Sequence, residues 1–183
     1  MNTWAAAVLI SSMVALNFHS ASVKGAEQRL EPTIQTHTGP WYRPGAPEVA
    51  SLWRPGDPGK PLHLNGLVFN TRGEPIPGAL VELWHTDADG NYPPLRAALR
   101  TRENGSFAVR TVLPGHHLGY RARHIHFVVT HPDHQPLVTR IYFMGDPNMD
   151  EALFPELAVL LEEGLIEGET RLFGQVDFVL APY

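Results

Sequence analysis

The chain has 183 residues, 18% of them charged and 43% hydrophobic, which is enough for one domain with a real core. Its formal net charge of −5 provides no basic face for nucleic acid, and the absence of cysteine excludes disulfides, thiolate metal sites and thiol nucleophiles. Any metal must therefore be held by His, Tyr, Asp or Glu.

The chain opens with an apolar run from Trp4 to Leu16, followed by small residues at Ser20-Ala21-Ser22 and Ala26. That run has the length of a signal-peptide core and is too short for a stable membrane span, so residues 1–26 are predicted to be a signal-like segment. Secreted or periplasmic location is the expectation, with the cytoplasm as the alternative. Residues 27–61, with GPWYRPGAP and WRPGDPGK, are rich in Pro and Gly and predict an extended arm lying on a body formed by residues 62–183.

In that body LHLNGLVFN (62–70) and ALVELWHT (79–86) alternate apolar and polar residues around the turn chemistry of TRGEPIPG. DADGN (87–91) reads as a second turn; it lacks the later acidic residues of a calcium loop. GSFAVRTVL (105–113), HIHFVVT (124–130), LVTRIYF (137–143) and GQVDFVL (174–180) carry further strand character. Within MDEALFPELAVLLEEGL (149–165) the composition predicts one short helix beginning near Pro155. Together these elements predict an all-β, two-sheet β-sandwich with an extended N-terminal arm and one short late helix.

The densest chemistry lies in YRARHIHF (120–127). Side chains alternate along a strand, so His124 and His126 share one face while Ile125 and Phe127 share the other. Such a pair fits either one bound ion or two partly exposed rings. Arg121 and Arg123 disfavour imidazolium beside them and so favour neutral, ligand-competent rings. Tyr92, His116, His117 and Tyr120 add donors from loops. By contrast, Trp84 reads as core, His85 as outward-facing or supporting the site from behind, and His37, His63, His131 and His134 as surface residues. No serine-hydrolase elbow or phosphate loop is present.

In order along residues 39–143, GPWYRPGAP, HLNGLVFNTRGEPIPGALVELWHTDADGNY, TRENGSFAVRTVLPG, RARHIHF and LVTRIYF resemble the intradiol ring-cleavage dioxygenases, the catechol and protocatechuate dioxygenase family. The first half of this pattern is also similar to transthyretin-like (prealbumin-like) binding modules that share the sandwich without a metal. A binding module with a modified or decayed metal site is therefore the second reading.

The resemblance implies a non-haem Fe(III) bound by two tyrosinates and two histidines, with Tyr92, His124 and His126 as ligands and Arg121 as the active-site arginine. It further implies that a small catechol-type substrate and O2 are the reactants, that the product is a muconate-type diacid, and that a homodimer is an available assembly. Tyr42, with Trp41 and Arg43, corresponds to an arm that roofs the family's pocket and is a candidate substrate contact.

Two departures stand out. Where the family has its second tyrosine this chain has His117, and Tyr120 follows three residues later, so either can be the fourth ligand. Arg140 stands where many members have glutamine; facing the histidines it would suit an anionic catechol, and facing water it would be an edge-strand arginine.

Overall fold

The computed structural model describes residues 29–183, so the signal-like segment lies outside the described residues. Nine strands follow in chain order: β1 (Pro61–Asn70), β2 (Leu80–His85), β3 (Leu95–Arg100), β4 (Ser106–Val112), β5 (His124–His131), β6 (His134–Phe143), β7 (Ala158–Val159), β8 (Leu161–Ile166) and β9 (Glu169–Leu180). They form a four-stranded sheet in the order β4-β1-β9-β8 and a five-stranded sheet in the order β3-β2-β5-β6-β7. β1 runs parallel to β9 and β6 parallel to β7, while the other neighbours are antiparallel.

Between the sheets lies a core built from alternate positions. Val81 and Leu83 of β2, Ile125, Phe127 and Val129 of β5, and Leu137 and Ile141 of β6 meet Leu62, Leu64 and Val68 of β1 and Val176 and Phe178 of β9. The period of two then forces Glu82, Trp84, His124, His126, Arg140 and Tyr142 onto the outer face of the five-stranded sheet. His126 is paired in register with Trp84 on one side and Arg140 on the other, and His124 with Tyr142.

That outer face is covered, because residues 36–47 cross it from β6 to β3. Thr36 N–H donates to Val138 O on the free edge of β6, Ala98 N–H of β3 donates to Pro47 O, and Leu52 and Arg110 of β4 complete the strap. The segment thus covers sheet edges that would otherwise invite pairing with other chains, and it roofs the histidine face.

The all-β sandwich agrees with the sequence reading; the late helix does not. The segment 149–165 forms two three-residue 3-10 turns, Met149–Glu151 and Pro155–Leu157, then β7 and most of β8. Tertiary pairing overrides the helix propensity of its Ala, Leu and Glu residues: β8 and β9 are joined through Glu167 and Gly168, both with positive φ (52° and 82°), the geometry of a two-residue hairpin turn. β3, spelled LRAALR, shows no strand pattern and owes its conformation to pairing with β2.

Glu167 occupies a region that Asn tolerates better than Glu. Glu167→Asn is expected to raise unfolding free energy by about 0.5 kcal/mol in a urea titration; an unchanged or lower midpoint would contradict this account of the turn.

Candidate functional site

On the outer face of the five-stranded sheet, beneath residues 37–41, lies a cavity of about 290 Å³ lined by Tyr92, His117, Arg121, His124, His126 and Arg140, with Trp41, Leu118 and Leu153 at its walls. The strand-borne donors are held firmly. The His126 ring lies parallel to its cross-strand partner Trp84, centroids 4.9 Å apart and planes 3° apart, and meets His124 edge-on at 4.9 Å. Burial, reinforced by His124 and Arg140, pushes the His126 imidazole down to about 2, and its Nδ1 is buried with no partner. Burial also lowers His124. His124 Nδ1 lies 2.7 Å from Ala122 O; a carbonyl cannot donate, so the proton sits on Nδ1 and the Nε2 lone pair is free.

Two loops deliver the other donors. His117 opens a three-residue turn, its Nδ1–H donating to Gly90 O at 3.2 Å, which again leaves Nε2 free. Its ring meets Tyr92 edge-on at 4.9 Å. This apposition requires glycine at both loops: a Cβ on Gly90 would sit 2.4 Å from His116 O, and one on Gly115 would sit 2.2 Å from Gly90 N. Burial raises the Tyr92 phenol above its ordinary value while the Arg140 cation opposes the shift.

The roof is pinned at two points. Trp41 stacks on Tyr92, centroids 4.5 Å and planes 8° apart, and Arg140 Nη2 donates to both Nε2 and O of His37 at 3.1 Å. His37, read from sequence as a surface residue, is therefore part of the cavity wall. Tyr120 is elsewhere, 49% exposed, with the Arg121 guanidinium 5.6 Å from its ring centroid. Tyr42 does not line the cavity either. It packs on Trp84 at 4.8 Å and donates to Glu82 Oε2, while Glu82 Oε1 accepts from the Gly45 and Ala46 backbone N–H groups. A column of Glu82, Tyr42 and Trp84 thus supports His126 from behind.

His85 turns to the opposite side of its strand and is buried, lowered by burial to about 4, its Nε2 2.7 Å from Thr111 Oγ1.

The family model described as "Dioxygenase" matches residues 37–178. A chlorocatechol 1,2-dioxygenase of Rhodococcus opacus is 32% identical over 180 residues, covering 78% of this chain and 70% of that protein. A catechol 1,2-dioxygenase of Acinetobacter baylyi is 33% identical, covering 73% of this chain and 52% of that protein. The chain belongs to the intradiol ring-cleavage dioxygenase family. Among solved structures, the dioxygenase domain of a dioxygenase and carbohydrate-binding fusion from Streptomyces sp. SirexAA-E superposes with a TM-score of 0.74 at 34% identity, over 84% of this chain and 100% of that one.

As an intradiol dioxygenase the chain carries one phenol, Tyr92, and four imidazoles, His37, His117, His124 and His126, in its cavity lining, with His37 Nε2 already taken by Arg140. Among the described residues no group of three or more His, Cys, Asp or Glu is placed to hold a metal ion by itself. The donor chemistry suits a cation bound together with the Tyr92 phenol: burial favours the neutral form of the strand histidines, two Nε2 lone pairs are left free by carbonyl-bound Nδ1–H groups, and a buried imidazole nitrogen lacks a partner.

One supporting residue had no clear sequence signal. The buried carboxylate of Asp146 accepts from His116 Nε2 at 3.0 Å and Arg123 Nη1 at 3.2 Å, tying the β6 exit to the loop before β5. Burial pushes its carboxyl up, but the Asn148 backbone, His116 and the Arg123 backbone outweigh it and hold the group below its ordinary range. Asp146 therefore stabilises the fold above that range and loses the contribution as pH falls through its lowered folded value. Asp146→Asn is expected to cost about 2 kcal/mol at neutral pH, with the gap to the parent closing on acidification below about pH 4. A gap independent of pH would contradict this.

Proposed function

We propose that this dioxygenase cleaves a catechol-type ring between its two hydroxyl-bearing carbons, consuming O2, with a non-haem iron held by Tyr92, His117, His124 and His126. The observation that carries this reading is the convergence of a phenol, free imidazole nitrogens and a guanidinium on one cavity. Bound there, a ferric ion would take both catechol oxygens and draw electron density from the ring, chemistry for which a phenolate donor is well matched.

The chain's own groups account for the rest. Tyr92 Oη, which burial keeps protonated in the absence of a cation, would be the base that accepts a catechol proton once a ferric ion held it as phenolate. Arg121 is the cation on the wall that stabilises negative charge developing on substrate oxygen. Burial lowers both His124 and His126 and so favours neutral rings that do not repel a cation. Residues 37–41, pinned by His37 and Trp41, cover the ring and limit water entry. Both oxygen atoms enter the product, a muconate-type diacid, so the reaction needs no external reductant.

Tyr120 is not among the proposed ligands because it lies outside the cavity wall and half exposed. The reading is tested by loading the protein with iron and recording its visible spectrum and oxygen uptake with catechol. A phenolate-to-iron charge-transfer band is expected in the parent and in Tyr120→Phe. Tyr92→Phe is expected to abolish the band and lower kcat/KM by about a hundredfold or more. A band that disappears with Tyr120 and survives loss of Tyr92, or a parent without oxygen uptake on any catechol, would overturn it.

A further inference from the structure

Two of the groups given a role in the cavity, His117 and Arg121, stand on one loop between β4 and β5, within residues 116–123. The loop has little of its own to hold it. Its large apolar residues, Leu118 and Tyr120, are exposed, and its three-residue turn buries no side chain. Leu118 and Gly119 both have positive φ (58° and 75°), a conformation that a leucine keeps only when its surroundings impose it. Segments with so few buried apolar contacts open at the low end of a protein's stability range. Yet a catalytic group misplaced by about 1 Å loses most of its effect.

A buried carboxylate supplies the missing hold. Asp146, its side chain 1% exposed, lies in the turn after β6, where its N–H donates to Phe143 O and its C=O accepts from Met149 N–H. From that frame it reaches both ends of the loop. His116 Nε2 donates to Oδ1 and Oδ2 at 3.1 and 3.0 Å, and Arg123 donates to Oδ2 through Nη1 at 3.2 Å and through its backbone N–H at 3.4 Å. Asn148 N–H completes the set, 2.8 Å from Oδ1. Among the described residues, the side-chain hydrogen bonds that tie residues 116–123 to other parts of the chain go to Gly90 O, from His117, and to Asp146. His116 and Arg123 bracket His117 and Arg121 in sequence, so one carboxylate closes the loop around both. Hydrogen bonds to an ionised, buried acceptor are the strong kind, suited to holding a segment that has no apolar anchor.

We propose that Asp146 is a positioning residue for the reaction: by clamping His116 and Arg123 it sets His117 toward the proposed iron and Arg121 toward the substrate. It lines no part of the cavity and so acts only through the loop. His124 and His126 take their places from β5, and Tyr92 is stacked on Trp41, so loss of the clamp withdraws the loop-borne pair and leaves the other donors where they are. The roles of His117 and Arg121 rest on the catechol-cleaving reading; the clamp rests on the geometry alone.

The test uses two full-length variants: Asp146→Asn, which keeps one carbonyl acceptor and loses the charge, and Arg123→Met, which removes one anchor and leaves the carboxylate. Thermal unfolding shows whether each is folded, and Arg123→Met carries the test where Asp146→Asn is not. In metal-free protein, amide exchange is followed at Gly119 and Arg121, whose N–H groups are hydrogen-bonded within the loop. Exchange there is expected to quicken at least about tenfold. Loop amides that keep the parent's rate while only sheet amides quicken are what a purely structural Asp146 gives, and that result would overturn the proposal. Ferric affinity, measured by competition with a chelator, is expected to fall about tenfold. The same substitution made in His117→Ala is expected to cost nothing further, because the ligand it positions is already gone. Unchanged affinity, or a loss as large without His117 as with it, also overturns the proposal. Iron-loaded parent that takes up no oxygen with any catechol, alongside the expected loop exchange and the expected dependence on His117, sinks the catalytic reading and leaves the clamp standing.

Discussion

The whole site depends on one constraint, the two-residue period of β5. Because Ile125, Phe127 and Val129 must enter the core between the sheets, His124 and His126 must leave it together on the other side. A one-residue slip would bury both imidazoles among aliphatic side chains and expose three of the core residues. Burying the aliphatic face therefore fixes the register that brings the histidines to a common cavity. Trp84 and Arg140, the in-register neighbours of His126, extend the same row across three strands.

An outward-facing pair of imidazoles becomes a site only when something excludes water from it. Residues 29–60 do this without forming a strand or helix of their own, using backbone hydrogen bonds to β6, β3 and β4 as anchors. One strap thereby solves two physical problems: it caps strand edges, and it lowers the polarity around His126 enough to keep that ring neutral. Glu82 links the two roles, since its carboxylate holds the strap through Gly45 and Ala46 and holds Tyr42 against Trp84 beneath it.

Much of this was legible in the sequence wherever alternation is strict. The strands carrying LHLNGLVFN, ALVELWHT, HIHFVVT and LVTRIYF announce themselves, and the shared face of His124 and His126 follows from them. β3 and β8 were hidden because LRAALR and LEEGLI have helix-favouring composition and become strands only through their partners. The Glu167-Gly168 turn was the available signal for β8. Loop-borne groups were less legible still. His37 reaches the cavity only because the strap crosses the sheet, and nothing local distinguishes it from His63; the choice between His117 and Tyr120 as cavity residues depends on a turn in which Leu118 adopts a left-handed conformation. Asp146 gave no signal because its partners, His116 and Arg123, are 30 and 23 residues away.

With His117 rather than a second tyrosine on its wall, the cavity has one phenol to offer the proposed metal site, and Arg140 stands beside that phenol as a cation. The cavity lining holds two arginines and no carboxylate, so the charge around the proposed metal site is positive. The most direct test of the account is a crystal structure of the iron-loaded protein with anomalous scattering measured at the iron edge. The account predicts a single iron peak within bonding distance of Tyr92 Oη and the free ring nitrogens of His117, His124 and His126, under residues 37–41. An iron bound elsewhere, or one in this cavity that leaves Tyr92 or the His124 and His126 pair uncoordinated, would contradict it.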